Sequence, residues 1–331
     1  MRQVDPRWVE AGWGHRVSSQ DELMRAISRI GTLQAGRRFV WRGVPDHRYR
    51  VQSSLTRSLM TEGAPMPTEH QVRERESAIL REARNWGVGL EAGGFATDLH
   101  LLAYLQHHGV PTRLLDVTSN PMTALWFACQ KASAERDAKG ALFAFDVTDL
   151  PEYQTVGTGA SPSWGTIENP LGWSLRSALA ASARDGAPFL VSPSLPDARM
   201  RAQEGLFLSG AVPPGPAVNG VDALPLPVSR QPGPAALDAL FAPRERQRGR
   251  PRGLPFCVIV IPTNVKARVS PHLEGTYNRS YRTLFPDVTG FAEALRLHKL
   301  DLSEPEALPI AYEDVNEGRP STTESTREGE P

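Results

Sequence analysis

Apolar residues recur at helical spacing in several separate windows of this chain, with alternating or continuous apolar runs between them. Leu23, Ala26, Ile27 and Ile30 form one face behind Ser18 and Ser19. Asp21 and Glu22 oppose the helix dipole in the first turn, so a capped helix to about Ile30, ended by Gly31, is expected. Arg37–Arg42 (RRFVWR) reads as a strand, followed by a turn at Gly43, Pro45 and Asp46 and a second extended piece over Tyr49–Leu55. Thr61–Pro67 reads as a loop. Thr68–Trp86 predicts a charged helix with Val72, Ala78, Ile79, Ala83 and Trp86 as its sparse apolar positions. After a glycine-rich connection, Leu101, Leu102, Leu105 and His108 predict a helix over about Thr97–His108, with Gly109 as its C-cap before Pro111. Asn120 and Pro121 are a strong helix start: a capping side chain, then a proline where the missing N–H costs nothing.

Further along, ALFAFDV after Gly140 is apolar on both faces and predicts a central strand. Pro151–Pro170 reads as a loop, Leu171–Ala183 as a helix and Ala187–Val191 as a strand. Ala198–Gly210 passes from charged to apolar at Gly205. Ala211–Gly253 is rich in Pro, Gly and Arg and is expected to be an insertion or mobile loop. Phe256–Ile261 (FCVIVI) is a buried strand, Val265–Leu273 and Asp287–Leu300 are helices, and the acidic, polar 303–331 is expected to be disordered. Helices fall in runs before and between strands without βαβ alternation, which favours an α+β mixed sheet with packed helices. The organisation expected is an N-terminal helical arm over 1–36, one domain over 37–300 carrying the 211–253 insertion, and a tail over 301–331.

Composition adds limits. Of 331 residues, Lys+Arg and Asp+Glu are each 37, so no net charge draws the chain to nucleic acid or an anionic membrane. The local run RERQRGRPR leaves nucleic acid as a weakly supported partner. The two cysteines, Cys129 and Cys257, stand in apolar runs and make neither a disulfide framework nor a zinc knuckle, so buried reduced thiols are expected and no metal. The first residues lack a signal-peptide core and no apolar stretch has the length of a membrane span, so a cytoplasmic location is expected, with no membrane partner. Neither GxGxxG nor GxxxxGK[ST] is present.

The candidate chemistry gathers in two stretches, FVWRGVPDHRYRVQSSLTR (Phe39–Arg57) and QHHGVPTRLLDVTSNPMTALWFACQ (Gln106–Gln130). Arg42, at a strand end, suits bidentate binding of phosphate or carboxylate, and Gly43 beside it would admit a ligand to the backbone. The other reading pairs Arg42 with an acid such as Asp116. His107 and His108 suit a base or proton shuttle, although adjacent helical residues point apart and would not share a metal; ending the helix is their other role. Arg113, Asp116, Thr118, Ser119 and Asn120 form a polar turn before a helix N-terminus, whose free N–H groups favour anions. Gln203 or Glu204, after Arg199 and Arg201, would polarise a ligand hydroxyl, or else belongs to a solvated charge run.

These stretches resemble the FRG domain family, named for an aromatic-Arg-Gly motif. WRG (Trp41–Gly43) with SSLTR (Ser53–Arg57) resembles its opening signature, with Trp41 where phenylalanine or tyrosine is usual. QHHGVPTRLLDVTSNPMTALWFA (Gln106–Ala128) is similar to its central one. RMRAQEGLF (Arg199–Phe207) and TLFPDVTGFAEAL (Thr283–Leu295) resemble its later motifs, so the resemblance covers roughly Arg37–His298. A weaker resemblance, in motif order, is to ADP-ribosyltransferases. It implies an ADP-ribosyltransferase-like fold and NAD as substrate. Arg42 would grip the pyrophosphate, Thr118 or Ser119 would support the nicotinamide ribose, and Gln203 or Glu204 would stabilise an oxocarbenium-like state.

Three functions follow as expectations. The first is an NAD-consuming transferase or glycohydrolase, of the kind used as a toxin or in bacterial phage defence, with a macromolecular acceptor. The second is a non-catalytic module for a nucleotide or other phosphate ligand using Arg42, Arg113 and the Asn120 helix start. The third is a different hydrolase built on Asp116 with His107 or His108.

Overall fold

The computed structural model describes residues 6–61, 64–91, 94–132, 138–155, 173–193, 196–216, 218–222, 224–226, 232–242, 251 and 253–297. Along the chain the elements are β1 (Gly14–Arg16), α1 (Gln20–Gly31), β2 (Phe39–Val44), α2 (Ser54–Leu59), α3 (Glu69–Asn85), β3 (Leu90–Glu91), β4 (Gly94–Phe95), α4 (Asp98–His107), β5 (Leu115–Thr118) and α5 (Pro121–Cys129). There follow β6 (Gly140–Asp146), β7 (Glu152–Gln154), α6 (Trp173–Asp185), β8 (Phe189–Ser192), α7 (Ala198–Ala202), β9 (Gly205–Ser209), α8 (Gly233–Phe241), β10 (Phe256–Ile261), α9 (Thr263–Gly275), α10 (Tyr281–Leu284) and α11 (Val288–Arg296).

An eight-stranded mixed sheet in the order β1-β10-β6-β2-β5-β9-β8-β7 forms the centre, and β3 and β4 make a separate two-stranded ladder. The outermost pairs, β1 with β10 and β7 with β8, are parallel and the rest antiparallel. The expected mixed sheet with packed helices is thus what the chain forms. β6 and β10 are buried along their length, which explains their unbroken apolar sequences.

The helices start where side chains satisfy their first N–H groups. Ser19 caps α1, Thr68 and Gln71 form a reciprocal capping box on α3, Thr97 caps α4, and Asn120 with Pro121 opens α5. α5 lies directly on β2 and β6. A Cβ on Gly43 would stand 1.7 Å from the Ala124 carbonyl oxygen, and one on Gly140 would stand 2.3 Å from that of Ala128. Gly43 therefore answers first to helix packing, whereas ligand approach was the reason expected for it.

Three buried clusters fill the fold. One joins α1, α5, α8 and α9 to one face of the sheet through residues such as Trp41, Leu125, Leu142 and Ile259. A second lies on the other face around Phe143, Phe145, Phe256 and Trp8. A third packs α4 and α6 against β8 and β9.

Four sequence expectations are corrected. β2 continues through Gly43 and Val44, where a turn was expected, because both pair with β6. The extended piece expected over Tyr49–Leu55 is shorter, a single parallel bridge of Val51 with Val221, because Ser53 caps α2 there. The 151–170 loop contains β7, drawn out by parallel pairing with β8. Of the expected insertion over 211–253, the described part is built into the core: Val218, Val221, Leu224, Leu226, Leu237, Leu240 and Phe241 are buried. The N-terminal segment packs as well, with Trp8 and Trp13 buried and β1 closing one sheet edge. The expected 303–331 tail, the Lys/Arg-rich run of the 243–250 segment and the end of the last helix at 298–300 lie outside the described residues.

Candidate functional site

β2 and β5 share a single registered pair, Trp41 with Thr118, and then part. The Arg42 guanidinium occupies the parting and donates to the Asp116 carbonyl oxygen at 2.6 Å, where a ladder bond would otherwise stand. A cleft of about 500 Å³ opens at this point. β2 contributes Trp41, Arg42 and Gly43; β5 contributes Asp116, Val117 and Thr118; α5 contributes Thr123, Ala124 and Phe127. Gln106, His107, His108 and Gly109 line it from the end of α4, and Arg199, Met200 and Gln203 from α7 and its cap. Gly205, Leu206 and Phe207 of β9, with Thr289 and Glu293 of α11, complete the wall.

The electrostatics of the cleft leave cationic capacity unspent. Burial pulls the Arg42 guanidinium below its ordinary value; the Asp116 carboxylate opposes this and Arg57 adds to it. Arginine stays ionised through such a shift. The Asp116 carboxylate is 3.8 Å from Arg42 and mostly exposed, and it accepts from the Gln106 side-chain amide at 2.8 Å. Arg199 lies over the Phe285 ring, 4.4 Å from its centroid, and makes no ion pair among the described residues. The Thr123 hydroxyl is fully buried and has no hydrogen-bond partner among the described residues.

The histidines divide. α4 ends at His107 with His108 as C-cap, one residue before the expected Gly109, so the pair ends the helix as expected, and both rings line the cleft. His107 Nδ1 is 3.2 Å from the Asp197 carboxylate, while exposed His108 packs on Tyr104 and stands edge-on to His107. Burial lowers the His107 pKa; Asp197 pulls it back, and Arg199 and His108 lower it further.

The residues expected to form a transferase site meet, but largely as a knot between β5 and the turn before β9. The Thr118 hydroxyl donates to the Gln203 carbonyl oxygen at 2.7 Å, and the Ser119 amide donates to that of Glu204 at 3.1 Å. The Asn120 side chain accepts from the Met122 amide and donates to the Glu204 carboxylate, which Arg279 also binds. Glu204 holds a left-handed backbone, φ 50°. Ser119, Asn120 and Glu204 do not line the cleft; Thr118 and Gln203 do.

Arg113 stands apart. It is buried against Glu76 and Glu69, with two 2.8 Å contacts from its Nε to the Glu76 carboxylate. Expected among the ligand-binding groups, it is paired with α3 instead and lines no part of the cleft.

Asp197, Glu293 and the aromatic wall of Trp41, Phe127 and Phe207 were not foreseen. Asp197 carried one usable signal, an N-cap position three residues before Met200. Burial pushes the Cys129 and Cys257 thiols up to about 12, so neither is a reactive thiolate. Among the described residues, no group of three or more His, Cys, Asp or Glu side chains is placed to hold a metal, and no helix is long and apolar enough to cross a membrane.

The family model of the FRG domain matches residues 37–137. That span holds β2, β5, α4 and α5, and with them Arg42, the two cleft histidines and Asp116, which lies in β5 where a polar turn was expected. The chain therefore carries an FRG domain over that span, as its first two motifs indicated; the match does not extend to the later motifs at Arg199–Phe207 and Thr283–Leu295. Searches of the curated proteins and of the solved structures each found no match.

Proposed function

We propose that the cleft binds a phosphate-bearing ligand with a planar ring, a nucleotide or NAD-like molecule. The observation that carries this reading is the pair Arg42 and Arg199 lining one cleft, Arg199 with no ion pair among the described residues and Arg42 matched only by the mostly exposed Asp116 carboxylate at 3.8 Å. Phosphate oxygens satisfy guanidinium donors in a way that chloride or a neutral ligand does not. The buried, unpartnered Thr123 hydroxyl at the cleft wall is one more donor, and Trp41, Phe127 and Phe207 give a ring an apolar wall. The volume falls within the roughly 300–1,000 Å³ of small-molecule sites.

Calorimetry with NAD, ADP-ribose, ADP and inorganic phosphate tests this. At least one nucleotide is expected to bind, and Arg42→Ala or Arg199→Ala to weaken it about tenfold or more, since a charge-assisted hydrogen bond is worth about 1.5–3 kcal/mol. Arg184→Ala, at a surface pair remote from the cleft, is expected to leave affinity unchanged. If no nucleotide binds, or Arg42→Ala binds like wild type, the reading is wrong.

A second reading, NAD consumption, is favoured by Arg42, Gln203 and Asp116 sharing that cleft. Its expected third group, Glu204, is held outside by Asn120 and Arg279. Any role as a toxin or defence effector, and any macromolecular acceptor, would rest on that turnover. Release of nicotinamide from NAD is its measurement, and its absence would leave a binding module.

A further inference from the structure

We propose that His107, oriented by Asp197, is the proton acceptor of the cleft and serves hydrolysis of the nicotinamide–ribose bond of NAD bound there. This rests on the nucleotide-binding reading above. It assigns the chemistry to a residue pair outside the Thr118, Ser119 and Glu204 set.

An enzyme that adds water to a sugar carbon needs a base near the nucleophile. Glu204 is occupied by Asn120 and Arg279 away from the cleft. Glu293 lies 3.5 Å from Arg296. Asp116 carries the Gln106 amide and stands close to Arg42. His107 differs from all three. It lines the cleft, as Asp116 and Glu293 also do, but it alone has a carboxylate beside it, 3.2 Å from its Nδ1. A carboxylate there favours the proton on Nδ1 of the neutral ring and leaves Nε2 as the acceptor, the arrangement by which a base is oriented by a third group. The charged and titratable groups facing His107 are Asp197 and Arg199 at α7, its neighbour His108, and Asp287 ahead of α11. Their balance with burial lowers its pKa, so the ring is neutral and able to accept a proton near pH 7.

The step balances without a further reactant. The C1′–N bond breaks, and its electron pair neutralises the pyridinium nitrogen, so nicotinamide leaves without taking a proton. The oxygen of water bonds to C1′, and its proton passes to His107 Nε2 and then to solvent. Arg42 and Arg199 hold the pyrophosphate and position the ribose. Asp197 is a positioning residue, because it touches His107 and not the reacting atoms.

The full chain is incubated with NAD, nicotinamide and ADP-ribose are quantified by chromatography, and NAD affinity is measured separately by calorimetry. Wild type is expected to release both products, with a rate that rises with pH through the His107 pKa and then levels. His107→Gln is expected to lower kcat about 100-fold or more while Kd stays within about threefold. Asp197→Asn removes the larger of the two carboxylate effects, Asp197 and Asp287, that raise the His107 pKa, so the acid limb moves to lower pH and kcat falls. Asp197 is half-exposed, so this variant keeps the test alive should His107→Gln fail to fold. Binding of NAD without product, full kcat in His107→Gln, or an unmoved acid limb in Asp197→Asn overturns the assignment and leaves the binding reading standing. Absence of NAD binding overturns the assignment, and absence of binding by NAD, ADP-ribose and ADP alike overturns both.

Discussion

Arg113 and Glu76 carry opposite charges through the least hydrated part of the molecule, with relative exposures of 3% and 0% at the side chains. Burial pushes the Glu76 carboxyl up, and Arg113 pulls it back down. Removing one partner leaves the other as an uncompensated buried charge. Arg113→Met is therefore expected to cost about 3–5 kcal/mol, measured by denaturant unfolding; a loss under about 1 kcal/mol would mean the pair is not held as described. In the sequence, Arg113 is read with Asp116 because they are three apart, while its true partner is 37 residues upstream on α3. Nothing local marks Glu76, a charged residue on a charged helix, as the buried one. At the surface, the Glu22 carboxyl sits below its ordinary value. Burial pushes it up, but the Ser18 hydroxyl and amide and the His15 ring outweigh that. A carboxyl lowered by folding adds stability above its unfolded value, and that stability is lost as pH falls through the folded one. Glu22→Gln is expected to flatten the loss of Tm on acidification through that range. An identical slope in wild type and variant would show that the contacts do not persist in solution.

Where α5 crosses β2 and β6, the element scale decides what is tolerated. A methyl on Gly43 meets backbone on two sides, the Ala124 carbonyl and the Ala128 amide, and neither can turn aside. Gly43→Ala is expected to cost about 3 kcal/mol or to abolish folding. Gly275, the last residue of α9, has open space at the same position and no positive φ. Gly275→Ala is expected to be neutral or to stabilise by about 0.5–1 kcal/mol. Thermal melts of the two variants side by side check the contrast, and equal Tm values would count against the α5 packing. Elements of this kind were legible where pattern and cap coincide: α1 behind Ser19, α3 behind Thr68, α5 behind Asn120–Pro121, and β6 and β10 from continuous apolar runs. β1 and β7, three residues each, were not. Such strands carry too few residues for a period, and they are extended because a neighbour pairs with them. α8 was hidden by the proline and glycine around it, although Leu237, Leu240 and Phe241 have helical spacing.

At the scale of the whole molecule, the cleft is assembled from segments far apart in sequence. The segment matched by the FRG domain model supplies β2 and β5, two of the eight strands of the main sheet. Arg42, Asp116 and the histidines were legible because they lie in that motif-dense span. Arg199 reaches the cleft, and Asp197 reaches His107, only because β9 pairs with β5 and brings α7 over the end of α4. The same topology makes the segment dependent on the rest of the chain. β2 and β5 meet through one registered pair, whereas β2 makes six with β6 and β5 makes four with β9. Cutting the chain to residues 37–137 would remove both ladders, uncover the α5 face that packs on β6 and α9, and leave the Val117 side of β5 in water. Exposed strand edges and unpaired apolar faces favour aggregation over a second fold. The fragment is therefore expected to show no cooperative thermal transition, poor amide dispersion in NMR spectra and no nucleotide binding, where the full chain melts cooperatively. A fragment that melted sharply with dispersed amides would mean that the matched segment closes its own core, and that the strand order described above is not what holds the cleft.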